Sequence, residues 1–153
     1  MAFRPACATI FAVAAETSTT RSAAETEAVA AQFAVHLEPG DVVLLGGELG
    51  SGKTAFVRGA CAALGVTAPV TSPSYVLGQI YPGSPEVAHL DLYRLESIAF
   101  ADELALEDYL TPQRIGFVEW PHDGELAGAR VRARVTLEHA GGDERRITTE
   151  WVA

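Results

Sequence analysis

An α/β fold, with a mostly parallel sheet and an antiparallel C-terminal hairpin, follows from three features of this 153-residue sequence. Short apolar runs alternate with helical patterns through the middle of the chain, as parallel sheets require of their crossovers. A glycine-rich turn from Gly46 to Thr54 joins one such run to the helix after it. Two alternating stretches close the chain around Gly141-Gly142-Asp143.

The elements follow in order. Thr26 opens a helical pattern with Val29, Phe33 and Leu37 at helical spacing, ended by Pro39-Gly40. Asp41-Val42-Val43-Leu44-Leu45 reads as a fully buried strand. The helix after the glycine turn carries Phe56, Ala60, Ala63 and Leu64 as its inner stripe, and Gly65 suits its C-terminal cap. Strands are expected over Val76–Tyr81, Val87–Leu90 and Ile115–Val118, with a helix over Ala101–Leu110 between the last two. Arg130–Leu137 and Arg146–Val152 form the closing hairpin.

Size and composition set the limits. At 16.2 kDa the chain is read as one domain, 1–153, and its 48% hydrophobic content excludes a wholly disordered protein. No apolar run reaches the roughly 20 residues that span a bilayer, and a cytoplasmic protein without membrane contact is expected. Arg4 and Ala6–Ala15 mimic a short secretory signal. A first strand over Ala8–Val13 is the preferred reading, because the loop described next needs cytosolic nucleotide. The net charge of −9 repels phosphate backbones, so free, non-specific nucleic-acid binding is not expected, nor is direct sequence-specific binding. Any phosphate must sit in a local site. The sole lysine, Lys53, lies inside the glycine-rich turn.

Gly47-Glu48-Leu49-Gly50-Ser51-Gly52-Lys53-Thr54 fits G-x-x-x-x-G-K-[ST] at every fixed position. Glycines let successive backbone N–H groups, up to Ala55, curl around a phosphate, and the following helix turns its positive end to the same anion. Lys53 is the point charge for the β- and γ-phosphates, and the Thr54 hydroxyl is a Mg²⁺ ligand. Glu48 is read as a solvated carboxylate pointing outward.

A phosphate loop of this kind also needs a carboxylate at the end of a neighbouring strand. Asp91 ends one apolar run and Glu119, followed by Trp120, ends another. A metal and water site competes with a turn or cap aspartate for Asp91, and with a solvated strand-end acid for Glu119. Thr71, Ser72 and Ser74 surround Pro73, either as a γ-phosphate-sensing switch or as an ordinary turn. His89 is read as a packing residue. Arg130, Arg132 and Arg134 share one face of a strand, either solvated or in contact with tRNA or an acidic partner.

Four segments together resemble a known family. They are the loop Gly47–Thr54, Ser72-Pro73-Ser74-Tyr75, His89-Leu90-Asp91-Leu92-Tyr93-Arg94-Leu95 and Val118-Glu119-Trp120-Pro121. They resemble G-[DE]-L-G-[AS]-G-K-T, S-P-T-[FY], H-x-D-L-Y-R-L and V-E-W-P of the TsaE (YjeE) family, ATPases of tRNA threonylcarbamoyladenosine synthesis. Ser74 stands where that family usually has threonine. The resemblance implies a P-loop NTPase-like three-layer sandwich, with ATP and Mg²⁺ as cofactors. It implies Thr54 and Glu119 near the metal and Asp91 as a second acid required for hydrolysis. It also implies TsaB and TsaD as partners, with tRNA touched only within their complex. Two other functions compete. A small-molecule kinase needs a lid with arginines, and Gly65 to Glu119 offers only Arg94 and Arg114. A non-catalytic nucleotide-dependent adaptor differs from a slow ATPase only in phosphate release.

Overall fold

The computed structural model describes residues 15–71, 78–92, 106–119 and 130–152. The chain begins there with strand β1, Ala15–Thr20, followed by helix α1, Ala23–Ala34. Strand β2, Val42–Gly47, leads through the glycine turn into helix α2, Lys53–Ala63. Strands β3 (Gly78–Tyr81), β4 (Val87–Asp91), β5 (Ile115–Glu119), β6 (Val131–His139) and β7 (Arg145–Trp151) complete it. They form one seven-stranded sheet of order β1-β7-β6-β2-β5-β4-β3.

The sheet is less parallel than the alternation of elements predicts. Strands β6, β2, β5 and β4 are parallel, while β7 on one flank and β3 on the other run against them, and β1, antiparallel to β7, runs with the central four. The sequence reading placed no strand at Ala15–Thr20, whose AETSTT has little apolar content and is mostly exposed. It pairs with β7 as an edge strand, where backbone hydrogen bonding suffices without apolar burial. The expected strand Ala8–Val13 lies outside the described residues, as does most of the expected helix Ala101–Leu110. The described part of that helix is a short 3-10 turn, Leu106–Asp108.

Both helices cover the same face of the sheet. Phe33, Phe56, Val57, Ala60 and Cys61 pack there on Val43, Leu45, Phe117 and Leu137. The other face buries Val42, Leu44, Leu90 and Val118 beneath Leu106, Tyr109 and Leu110. Among the described residues, then, one face carries a helical layer and the other a short turn. The α2 stripe is also displaced: Phe56 and Ala60 are buried as predicted, but Ala63 is exposed and Leu64 only half-buried, while Val57 and Cys61 turn inward.

Local chemistry sets the helix ends. Ser22 caps α1 by accepting from the Glu25 backbone N–H at 3.1 Å, and the Glu25 carboxylate accepts from the Arg21 N–H at 2.9 Å. This is a close relative of the S-x-x-E capping box, and it starts the helix three residues before Thr26. Gly65, at φ +88°, closes α2: its N–H donates to the Ala62 carbonyl and that of Val66 to the Cys61 carbonyl, as in a Schellman motif. The helices touch at Gly59, where any side chain would collide with the Glu27 backbone.

The arginine stripe is broken by a register shift. Val42 pairs with Val131 but Val43 with Ala133, so Arg132 is an extra residue in β6. Val131 therefore packs on one face and Ala133 on the other. Arg130 donates to the buried Asp41 carboxylate at 2.6 Å, and the Arg132 guanidinium lies 4.8 Å from the Trp151 ring centre. The three arginines thus share no single surface.

Candidate functional site

Strands β2, β5 and β4 are parallel neighbours, so their C-terminal ends form one rim. Leu45 is paired with Glu119, and Glu119 with Asp91. The glycine loop leaves β2 at that rim and enters α2. Topology alone therefore brings Lys53, Thr54, Asp91 and Glu119 to one side of the sheet, where ligands collect in open α/β sheets.

The loop needs its glycines. Gly47 sits at φ +142°, and a Cβ there would lie 2.5 Å from the Leu137 carbonyl oxygen and 2.6 Å from Ser51 Oγ. Gly50 and Gly52 adopt φ +79° and +107°, in the left-handed region. Gly52 is the N-cap of α2 and offers no side-chain cap, so the first-turn N–H groups of Lys53, Thr54 and Ala55 lack the usual capping oxygen. Ser51 is 1% exposed, and its hydroxyl has no hydrogen-bond partner among the described residues. Lys53 is 9% exposed and folds back over the loop, donating from Nζ to the Gly47 carbonyl at 2.5 Å and the Glu48 carbonyl at 3.2 Å. Glu48 is exposed, as expected, and Leu49 at the crest is 90% exposed. Uncapped N–H groups, a primary ammonium and a glycine concavity together make a cradle able to accept an anion.

The carboxylates differ in setting. Glu119 is 5% exposed and its Oε2 lies 2.9 Å from Nε2 of His89, which is fully buried. Asp91 is half-buried at the rim. Among the described residues, no three of His, Cys, Asp and Glu converge into a protein-only metal cage. Thr71 is exposed, and its carbonyl accepts from the Tyr81 hydroxyl at 3.3 Å. Ser72, Ser74 and Trp120 lie outside the described residues.

Sequence reasoning missed the contribution of the hairpin. Arg145, at the foot of β7, donates to the Gly50 carbonyl at 3.4 Å, and Glu144 beside it pairs with Arg21 at 3.3 Å. The hairpin turn thus reaches the loop crest and the start of α1 from more than ninety residues along the chain. No spacing rule could reveal that contact. His89 was read as a packing residue. It is buried in the core, but it also binds one of the two rim acids, and the i, i+2 spacing of His89 and Asp91 on a strand was the available signal.

Fold and site thus define an α/β protein with a glycine-rich loop opening a helix beside two strand-end acids. The chain belongs to the family whose model is described as threonylcarbamoyl adenosine biosynthesis protein TsaE, which matches residues 20–147. Membership places it among proteins of tRNA threonylcarbamoyladenosine biosynthesis. It is 38% identical over 125 residues to the tRNA threonylcarbamoyladenosine biosynthesis protein TsaE of Bacillus subtilis, covering 81% of this chain and 78% of that one. The protein of the same name from Mycobacterium tuberculosis is 34% identical over 145 residues, covering 87% and 84%. The crystal structure of Bacillus subtilis YdiB superposes with a TM-score of 0.73 at 33% identity, over 92% of this chain and 87% of that one.

Proposed function

We propose that this chain is a Mg²⁺-dependent ATPase that serves threonylcarbamoyladenosine formation in tRNA by driving the cycle of a TsaB–TsaD complex. The observation that supports this most strongly is the convergence of Lys53, Thr54, Asp91 and Glu119 on the rim that also holds the glycine loop. The residues present fit ATP with Mg²⁺. The first turn of α2, without a side-chain cap, and the Ser51 hydroxyl, without a partner among the described residues, lie where a phosphate is expected, and a Cβ at Gly47 would meet Leu137 and Ser51 beside it. Mg²⁺ takes one or two protein ligands and completes its shell with phosphate and water, so Thr54 and Glu119 are a sufficient protein donor set.

Each residue then has a role. The N–H groups from Gly50 to Ala55 cradle the phosphates, and Lys53 exchanges its loop carbonyls for phosphate oxygens. Thr54 and Glu119 hold the metal, Glu119 directly or through water. Mg²⁺, when bound, neutralises charge developing between the β- and γ-phosphates. Asp91, next to Glu119 in register, orients the attacking water. Hydrolysis by the isolated chain should be slow, since arginine supplied by a partner is worth about 10³–10⁵ in rate in such enzymes. Arg145, which reaches the Gly50 carbonyl of the loop, is engaged with backbone carbonyls.

Phosphate release by the purified chain, titrated with a TsaB–TsaD pair, tests the proposal. A low basal rate that rises clearly on titration is expected. Full activity without partners would favour a stand-alone enzyme, and no release under any condition would favour a nucleotide-dependent adaptor.

A further inference from the structure

The buried side of Glu119 is tied into a chain of hydrogen bonds that the proposed ATPase reaction does not use. Its Oε2 lies 2.9 Å from His89 Nε2. An ionised carboxylate only accepts, so this ring nitrogen carries the proton and donates. The other ring nitrogen, Nδ1, is 3.5 Å from the Tyr81 hydroxyl. That hydroxyl lies 2.7 Å from Gln79 Oε1 and 3.3 Å from the Thr71 carbonyl. The His89 side chain is fully buried and Tyr81 nearly so, inside the layer that includes Phe117 and Val87. Their polar atoms sit in that layer only because each finds a partner.

This arrangement has a directional consequence. Glu119 ends β5 and His89 lies in β4, one strand over and two residues back in register. The imidazole therefore approaches the carboxylate from the sheet interior and engages one oxygen. The second oxygen, Oε1, is not the one His89 takes. A glutamate has three side-chain torsions, and an unrestrained one would sample many positions at a strand end. A buried N–H donor selects among them. The same geometry recurs wherever an outer hydrogen bond orients an acid that holds a metal.

We propose that His89 is a positioning residue that holds one oxygen of the Glu119 carboxylate and so fixes its other oxygen for the metal. The inference rests on the reading of Glu119 as a Mg²⁺ ligand. It assigns His89 a role beyond packing.

The test is Mn²⁺ binding to full-length protein saturated with a non-hydrolysable ATP analogue, followed through the electron paramagnetic resonance of free Mn²⁺. His89→Phe keeps an aromatic ring of similar size but has no N–H. It should weaken Mn²⁺ binding by about 10–100-fold, the range for loss of such an outer partner, with analogue affinity in EDTA unchanged. His89→Gln, whose amide can donate near the position of Nε2, should return Mn²⁺ affinity to within a few-fold of wild type. Wild-type Mn²⁺ affinity in a folded His89→Phe would overturn the proposal. Should that variant fail to fold, the wild-type protein supplies a second measurement. The His89 Nε2 proton resonance should move when Mg²⁺ is added to the analogue complex, and a resonance indifferent to Mg²⁺ would overturn the proposal equally. If wild type binds the analogue but takes up no Mn²⁺, the reading of Glu119 as a ligand fails first, a result distinct from either of these.

Discussion

Asp91 and Glu119 stand side by side in register as the last residues of the adjacent parallel strands β4 and β5. Parallel pairing makes this unavoidable: two acids that are 28 positions apart in the chain become neighbours because Val87 pairs with Ile115. They differ in burial, and the roles proposed for them differ accordingly: a fixed metal contact for Glu119, buried and held by His89, and a water for the more open Asp91.

Glu119→Ala should weaken Mg²⁺-dependent nucleotide binding, whereas Asp91→Asn should impair turnover more than binding. Calorimetric titration beside phosphate release separates the two effects. Normal turnover by Asp91→Asn would leave that residue a structural role only.

Gly47→Ala tests the cradle itself. The added methyl would meet the Leu137 carbonyl at 2.5 Å and Ser51 Oγ at 2.6 Å, at a φ of +142° that side chains avoid. The backbone oxygen belongs to a paired strand and cannot easily move. Overpacking of this kind costs about 1–3 kcal/mol, so a lower urea midpoint with the slope retained is expected, together with loss of nucleotide binding. Gly50→Ala meets nothing within 4 Å and carries only the strain of φ +79°. It should cost about 1 kcal/mol. Equal costs for the two substitutions would count against the close approach at Gly47.

Gly59→Ala should destabilise the whole domain, because its methyl would press on the Glu27 backbone where α1 crosses α2. Neither helix can yield without lifting Phe33 or Phe56 from the shared core, where their ring centres are 5.4 Å apart. A loss of about 1–3 kcal/mol is expected. Nucleotide affinity, measured where the variant is still folded, should stay within a few-fold of wild type.

Alkaline stability should report on Cys61. Burial pushes its thiol from 9.0 up to about 12. The folded state therefore holds a proton that the unfolded chain releases above pH 9. Stability is full below that value and falls by about 1.4 kcal/mol per pH unit as pH rises toward 12. Tyr81, also raised by burial, adds to the loss only above pH 10. Urea unfolding at pH 8 and pH 10 should show a smaller drop for Cys61→Ala than for wild type. Identical drops would show that the thiol titrates normally.

Much of this architecture was legible because local rules and tertiary context agree. Val42 to Leu45 lies within a strand buried on both faces, and such strands are apolar throughout. The glycine loop, the Gly65 cap and the closing hairpin are written in local backbone chemistry. The start of α1 was also written there, in Ser22 and Glu25, and was missed because Thr26 falls in the same apolar pattern. Strand β1 was hidden because an edge strand needs no apolar alternation. The break in the arginine stripe was hidden because a bulge is set by the neighbouring strand. For the site, loop and acids were readable from motif and strand ends, whereas Arg145 against Gly50 and His89 against Glu119 depend on sheet order.

Calorimetric titration of ATP with Mg²⁺ into wild type and Lys53→Ala tests the central claim most directly. Wild type should bind one nucleotide, and at about 100 times the dissociation constant should gain about 2.7 kcal/mol of stability. Lys53→Ala should lose that binding, with its ligand-free melting temperature within about 4 °C of wild type, the shift that roughly 1 kcal/mol produces. Nucleotide binding and stabilisation undiminished in Lys53→Ala would contradict the assignment of the glycine loop as the ATP site.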